Sequence, residues 1–298
     1  MLKNRPLSIL RQALTAAILM IGPIPPAAAN APDASKEVIF GFPTATIRYM
    51  IINHQVAELR ALIAKTPRQS GDEEYRKILE AATLACNQDF ERAVVAFDKT
   101  KGLAQANDQI LIMAAQSYGN LVQYPKAIEY ATLAIQKSHD RDAYKLRAGC
   151  YMAQNRFVEA ARDYQAMAVA DPPAADQYIA KAAKALLDAH KPQEALSMVD
   201  KYLAGNGAKN GISITICRTL CLEQLHRPKE ALVDISRAVD RVNKDPKIGV
   251  FERCSYMCTI LQERARCYDQ LGQTGKAMAD RERVKKLTSD TFDDTVGK

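Results

Sequence analysis

With 48% hydrophobic residues in 298, but only 13 glycines and 13 prolines, the chain has apolar surface for a large core and too little Gly and Pro for a disordered or collagen-like polymer. The formal charge of +7 does not mark a phosphate-binding surface: Lys3, Arg5 and Arg11 stand in an acid-free opening stretch, and beyond it 38 basic residues face 34 acidic ones with no basic block. Nucleic acid is therefore not among the expected partners.

The first predicted element is an export signal over residues 1–29. Its basic stretch (Lys3, Arg5, Arg11) precedes an apolar run from Ala13 to Ile24 and the small residues Ala27, Ala28 and Ala29. Gly22, Pro23, Pro25 and Pro26 interrupt the run, which is shorter than the ~20 residues a spanning helix needs. Cleavage after Ala29 or Ala31 would release a periplasmic or secreted chain, the alternative being an uncleaved anchor. No later run is long enough to span a bilayer, so no membrane span is expected in the mature chain.

Residues 30–72 come next. Pro43 followed by Ile47, Met50, Ile51, Val56, Leu59, Leu62 and Ile63 predicts a capping helix that covers the apolar face of whatever follows, and Thr66 to Asp72, with Pro67, Ser70 and Gly71, reads as a linker.

From residue 73 to 291 one pattern recurs. Ala93, Ala127, Ala160, Ala195, Ala231 and Ala277 are spaced by 34, 33, 35, 36 and 46 residues. Twelve residues before each stands a small residue (Ala81, Ala115, Ala148, Ala183, Thr219, Ala265), and nine before each a large one (Leu84, Tyr118, Tyr151, Leu186, Leu222, Tyr268). Short polar breaks such as Asn87-Gln88-Asp89 and His190-Lys191-Pro192 separate stretches whose apolar residues step by three and four. The unit is thus a helix, a tight turn and an antiparallel helix. Its small residues let two backbones approach, and no single hairpin can bury its own apolar stripe. The long final step is explained by Ile248 to Leu271, which lacks Gly and Pro and predicts an elongated first helix. Residues 292–298 are left as a tail.

The segment Ala143 to Pro173, AYKLRAGCYMAQNRFVEAARDYQAMAVADPP, resembles a complete tetratricopeptide repeat: Ala148, Tyr151, Phe157, Ala160, Tyr164 and Pro172 occupy that family's small, aromatic, turn, alanine, aromatic and proline places. Other units depart from the pattern, with Pro192 and Pro228 at the turn aromatic, Thr219 for an alanine, Arg281 for an aromatic, and no Trp anywhere. The resemblance implies an all-α fold, a right-handed superhelical array of antiparallel helix hairpins (a tetratricopeptide-like α-solenoid) of about six units, and the function of a protein-interaction scaffold. It also implies a partner-binding groove lined by Gln109, Gln116, Asn120, Asp142, Lys145, Gln177, Lys184, Asp188, Gln224, Gln262, Arg266 and Asp269. Amides and charges of both signs suit a protein or peptide partner. Lys145 matches one place of the family's carboxylate clamp, but Gly149 stands where that clamp has Asn.

No phosphate loop, nucleophile elbow or paired-His zinc motif is present, and the four histidines include two, His190 and His226, at equivalent turns before a proline. The expectation is a non-enzyme without cofactor, bound metal or small-molecule substrate. Seven cysteines are the oddity. Cys150, Cys221 and Cys267 share a register position and read, with Cys86, as core residues. Cys217 with Cys221, and Cys254 with Cys258, each share one helix face on consecutive hairpins. Disulfides between the two pairs, reduced core thiols and a four-thiolate zinc site remain open. Beside the scaffold stand two alternatives, a thiol-redox or metal-binding protein using Cys217, Cys221, Cys254 and Cys258, and a self-associating envelope component.

Overall fold

The structure, a computed structural model, describes residues 38–39, 42–65, 73–206, 211–246 and 248–296. The expected export signal, its cleavage site and the linker from Thr66 to Asp72 lie outside the described residues. Among those residues the chain is all-α: fourteen helices, two short 3-10 turns, and one antiparallel ladder that pairs β1 (Val38–Ile39) with β2 (Phe42–Pro43). No helix among them is long and apolar enough to cross a membrane.

The residues fall into two compact units, one ending at Gln154 and the other beginning at Asn155. The first holds α1 (Thr44–Ile52), α2 (Val56–Lys65), α3 (Glu73–Cys86), α4 (Phe90–Phe97), α5 (Asp108–Asn120), α6 (Tyr124–Ser138) and α7 (Arg141–Ala153). The second holds α8 (Phe157–Ala170), α9 (Ala175–Asp188), α10 (Pro192–Asn206), α11 (Ile212–Gln224), α12 (Pro228–Lys244), α13 (Val250–Gln270) and α14 (Thr274–Val296).

Within each unit one turn joins the paired helices. Five residues before each ruler alanine the backbone is left-handed: φ is 61° at Gln88, 63° at Val122, 58° at Asn155, 57° at His190, 56° at His226 and 70° at Gly272. The His190 N–H donates to the Leu187 carbonyl at 2.9 Å and the Lys191 N–H to the Leu186 carbonyl at 2.9 Å. These are the paired bonds that close a helix and satisfy its last carbonyls. The next helix starts at once, because Pro192 and Pro228, at its first position, have no N–H to leave unpaired and a φ already set for a helix.

The same turn corrects the reading of the N-terminal cap. The apolar residues from Ile47 to Ile63 are two helices, α1 and α2, because His54 has φ 52° and its neighbours make the same bonds, His54 N–H to Ile51 at 3.1 Å and Gln55 N–H to Met50 at 2.8 Å. Leu59, fully buried, stands five residues on and 34 before Ala93, so it takes the ruler alanine's place in a further hairpin.

In the first unit Ile47, Ile51 and Leu59 join Leu79, Phe97, Ile110 and Tyr118 in one core. Each fully buried aliphatic side chain stabilises by about 1.5–3 kcal/mol. In the second, α12 buries Ala231, Ile235, Ala238, Val239 and Val242, a single stripe at steps of three and four, against Met257, Ile260 and Leu261 of α13. The elongated first helix expected for the last hairpin is observed: α13 has 21 residues against 13 in α11. The stretch from 292, expected as a tail, continues α14 as far as Val296, since the sequence has no Gly or Pro to end the helix before Gly297.

Candidate protein-binding face

Among the groove residues expected in the first unit, Gln109, Gln116, Asn120, Asp142 and Lys145 are all half-buried. Two are committed locally. The Gln109 side-chain amide donates to Asp140 at 3.3 Å, and the Asn120 amide donates to the Gln116 backbone carbonyl at 2.9 Å. Burial, reinforced by the Asp140 charge, pushes the Asp142 carboxyl above the ordinary carboxylate range. Asp140 caps α7 by accepting the Asp142 N–H at 2.7 Å. Gly149 is exposed, with no neighbour that a β-carbon would meet.

In the second unit all seven expected residues are exposed: Gln177, Lys184 and Asp188 on α9, Gln224 on α11, and Gln262, Arg266 and Asp269 on α13. The steps 177, 184, 188 and 262, 266, 269 each trace one helix face. Helix α11 packs against both α9 and α13. The three first helices therefore form a continuous strip. Two of the seven are engaged. Arg266 pairs with Glu263 at 2.8 Å, and Asp269 with Arg281 of α14.

Beneath that strip lies a cluster that sequence reasoning missed. Glu223 and Glu263 are buried, and the Cys267 thiol donates to Glu223 Oε1 at 3.1 Å. Burial raises both carboxyls. Burial and the bond to Glu223 push the Cys267 thiol far up.

Two charged devices hold the hairpins in register, and both were also missed. Arg218 of α11 reaches Asp200 of α10 at 2.6 Å and Asp234 of α12, and Arg264 of α13 grips Asp280 of α14 with two bonds. Asp234 and Asp280 each follow their Arg by 16 residues, across the turn, whereas Asp200 precedes Arg218 by 18. A cavity of about 410 Å³ opens beside Arg218, with Asp200, Thr215, Asp234 and Arg241 on its wall. The second device is an acid in the first turn of a first helix that catches the loop after its hairpin. Glu74 accepts the N–H groups of Lys101 and Gly102, and Asp176 accepts that of Gly211 together with the Tyr202 hydroxyl at 2.7 Å. A β-carbon at Gly211 would stand 2.5 Å from Asp176 Oδ2, so a larger residue there would have to turn that carboxylate aside.

All seven cysteines are free thiols. The structure turns the two helix pairs to different neighbours: Cys217 Sγ lies 3.3 Å from the Ala180 carbonyl of α9, and Cys254 Sγ lies 3.4 Å from the Leu287 carbonyl of α14. In the structure no disulfide links Cys217, Cys221, Cys254 and Cys258, and among the described residues no group of three His, Cys, Asp or Glu is placed to hold a metal. Cys150, Cys221 and Cys267, which share one register position, are buried, and so is Cys86.

No protein-family model matches the sequence, and no curated protein does. Solved structures do. The C-terminal part of a TPR repeat-containing protein from Cytophaga hutchinsonii is 13% identical, covers 82% of this chain and 95% of its own, and superposes with a TM-score of 0.57. A tetratricopeptide repeat protein from Parabacteroides merdae is 11% identical, covers 82% and 91%, and has a TM-score of 0.42. At such identities likeness speaks to fold alone, and only the Cytophaga chain superposes closely enough to bear on it. Paired helices, one recurrent turn and that superposition together give this chain the tetratricopeptide-repeat fold.

Proposed function

We propose that the chain is an interaction scaffold that holds a protein or peptide partner along the first helices α9, α11 and α13 of its second unit. The observation that supports this reading is the exposure of Gln177, Lys184, Asp188, Gln224, Gln262, Arg266 and Asp269 on adjoining helices whose other faces are buried. Amide side chains can pair with the N–H and C=O groups of an extended segment, which otherwise lose their water on docking. With Asp269 held by Arg281, the exposed cations of the strip are Lys184 and Arg266, the latter also paired with Glu263, which favours a segment carrying carboxylates. The reading carries no catalytic step and needs no cofactor.

The test is selection of a binding peptide from a random library, followed by titration against variants. Lys184→Glu with Arg266→Glu is expected to weaken the selected peptide at least about tenfold, while Arg237→Glu on the second helix α12 leaves it unchanged. Equal affinity for all three proteins would remove this face from consideration.

Export after Ala29 or Ala31 is part of the same proposal, supported by the order of Lys3, Arg5 and Arg11, the apolar run and the small residues. N-terminal sequencing of the protein recovered from its native compartment checks it; an intact Met1 would contradict it.

A further inference from the structure

The exposed cation Arg266 is held from beneath. Its Nη1 donates to Glu263 Oε2 at 2.8 Å, one turn back on α13. The two side chains sit differently: 59% of the Arg266 side chain is exposed, against 10% of Glu263. Asp269 and Arg281, by contrast, are both open to solvent, so water can stand in for either partner.

A buried carboxylate keeps its charge only while a cation compensates it. The groups around Glu263 leave that task to Arg266. From α11 the facing group is Glu223, itself a buried acid, which accepts the Cys267 thiol at 3.1 Å and adds repulsion. On α14 Asp280 is taken by Arg264 and Arg281 by Asp269, and on α12 Asp240 acts on Arg264. Burial already holds the Glu263 carboxyl above its ordinary range, with Arg266 pulling against it. A partner carboxylate that settles on Arg266 shares that pull and brings a second negative charge beside the acid. Both effects favour protonated Glu263.

Resting on the reading of this face as a peptide-binding strip, we propose that Glu263 is an internal competitor for Arg266, and that an acidic partner segment binds there with uptake of a proton by Glu263. The partner's carboxylate takes the place of the Glu263 carboxylate on the guanidinium, and a Glu263 oxygen gains a proton from solvent; no electron is transferred. Affinity for the acidic segment therefore rises as pH falls from neutrality toward the ordinary glutamate value of about 4, where the partner's own carboxylates begin to protonate. One linked proton limits the gain to about tenfold per pH unit.

The experiment is isothermal titration calorimetry of the full-length protein with a library-selected peptide that carries acidic residues and no histidine, across pH and in two buffers of different ionisation enthalpy. The Lys184→Glu/Arg266→Glu variant first shows whether the peptide uses this face; undiminished binding to it would refute the face, and this inference with it. For a peptide that passes, the wild type is expected to take up protons on binding, to a maximum near one, and to bind at least about threefold more tightly at about pH 5.5 than at about pH 7. Glu263→Gln should bind at neutral pH as tightly as the wild type does at the lower pH, with no uptake, while Glu223→Gln keeps the wild-type pattern. A peptide that depends on Arg266 yet binds the wild type without proton uptake would overturn the inference alone, leaving the face intact. Uptake that persists in Glu263→Gln, or that disappears only in Glu223→Gln, would overturn it equally. The wild-type proton count decides the question if either variant does not fold.

Discussion

Arg264 and Asp280 are joined by two parallel bonds, Nε to Oδ2 at 2.7 Å and Nη2 to Oδ1 at 2.6 Å, which clamp the first helix of the last hairpin to its second. Asp280 is only 6% exposed, so its charge depends on this one cation. Removing one partner of a buried pair leaves the other uncompensated. Asp280→Ala is therefore expected to cost about 3–5 kcal/mol in chemical denaturation, whereas Arg264→Met with Asp280→Leu recovers most of that loss.

Val122 carries a branched β-carbon at φ 63°, a conformation that costs an L-residue about 1–2 kcal/mol. It is exposed, so it has little packing to lose. Val122→Gly should raise stability by about 1 kcal/mol, net of glycine's greater freedom in the unfolded chain, and urea unfolding reads it. Gly272, which meets the same demand without a β-carbon, should respond in the opposite sense to Gly272→Val.

Leu59 fills the place that an alanine holds in the other hairpins and is fully buried. Leu59→Ala should cost about 2–5 kcal/mol locally, because the cavity left behind cannot be filled from a rigid turn. In a repeat protein that loss stays near its origin. Amides of α1 and α2 are expected to exchange early by hydrogen-exchange mass spectrometry, while those of α13 keep the wild-type rate.

Glu223 and Glu263 have carboxyls raised chiefly by burial. An acid whose folded pKa exceeds its unfolded value holds its proton more tightly in the folded chain. Its destabilising effect is absent below the unfolded value and grows as pH rises toward the folded one. Stability should accordingly fall as pH rises above about 4, the ordinary glutamate value, toward the raised folded values. Glu223→Gln keeps an acceptor for the Cys267 thiol but cannot ionise, so it should flatten that decline and exceed the wild type at the upper end only. Thermal melts across the range measure both.

The hairpins were legible because their demands are local. An alanine where two backbones approach, a large residue nine positions earlier and a polar break between them recur within a single turn and its flanks. The first hairpin escaped because Leu59 replaces that alanine, and His54, the left-handed residue, is not a residue type that announces a turn. His190 and His226 were read correctly only because a proline follows each two residues on. The Arg–Asp clamps were hidden for another reason. Arg218 with Asp234 and Arg264 with Asp280 look like two surface charges in a line of text, and only the antiparallel return of the chain buries one against the other. Exposure of the expected groove residues was half legible. The family resemblance put Lys184 and Arg266 on outward faces, where they are exposed, but it gave no sign that Asp142 is half-buried or that Arg281 would occupy Asp269.

The claim on which the functional account depends is that a partner lies along the first helices of the second unit. Hydrogen-exchange protection by a selected peptide measures it directly. The account predicts protection concentrated in residues 175–188, 212–224 and 250–270, lost in the Lys184→Glu/Arg266→Glu variant. Protection confined to the second helices, residues 192–206 and 228–244, or protection that survives both charge reversals, would contradict it.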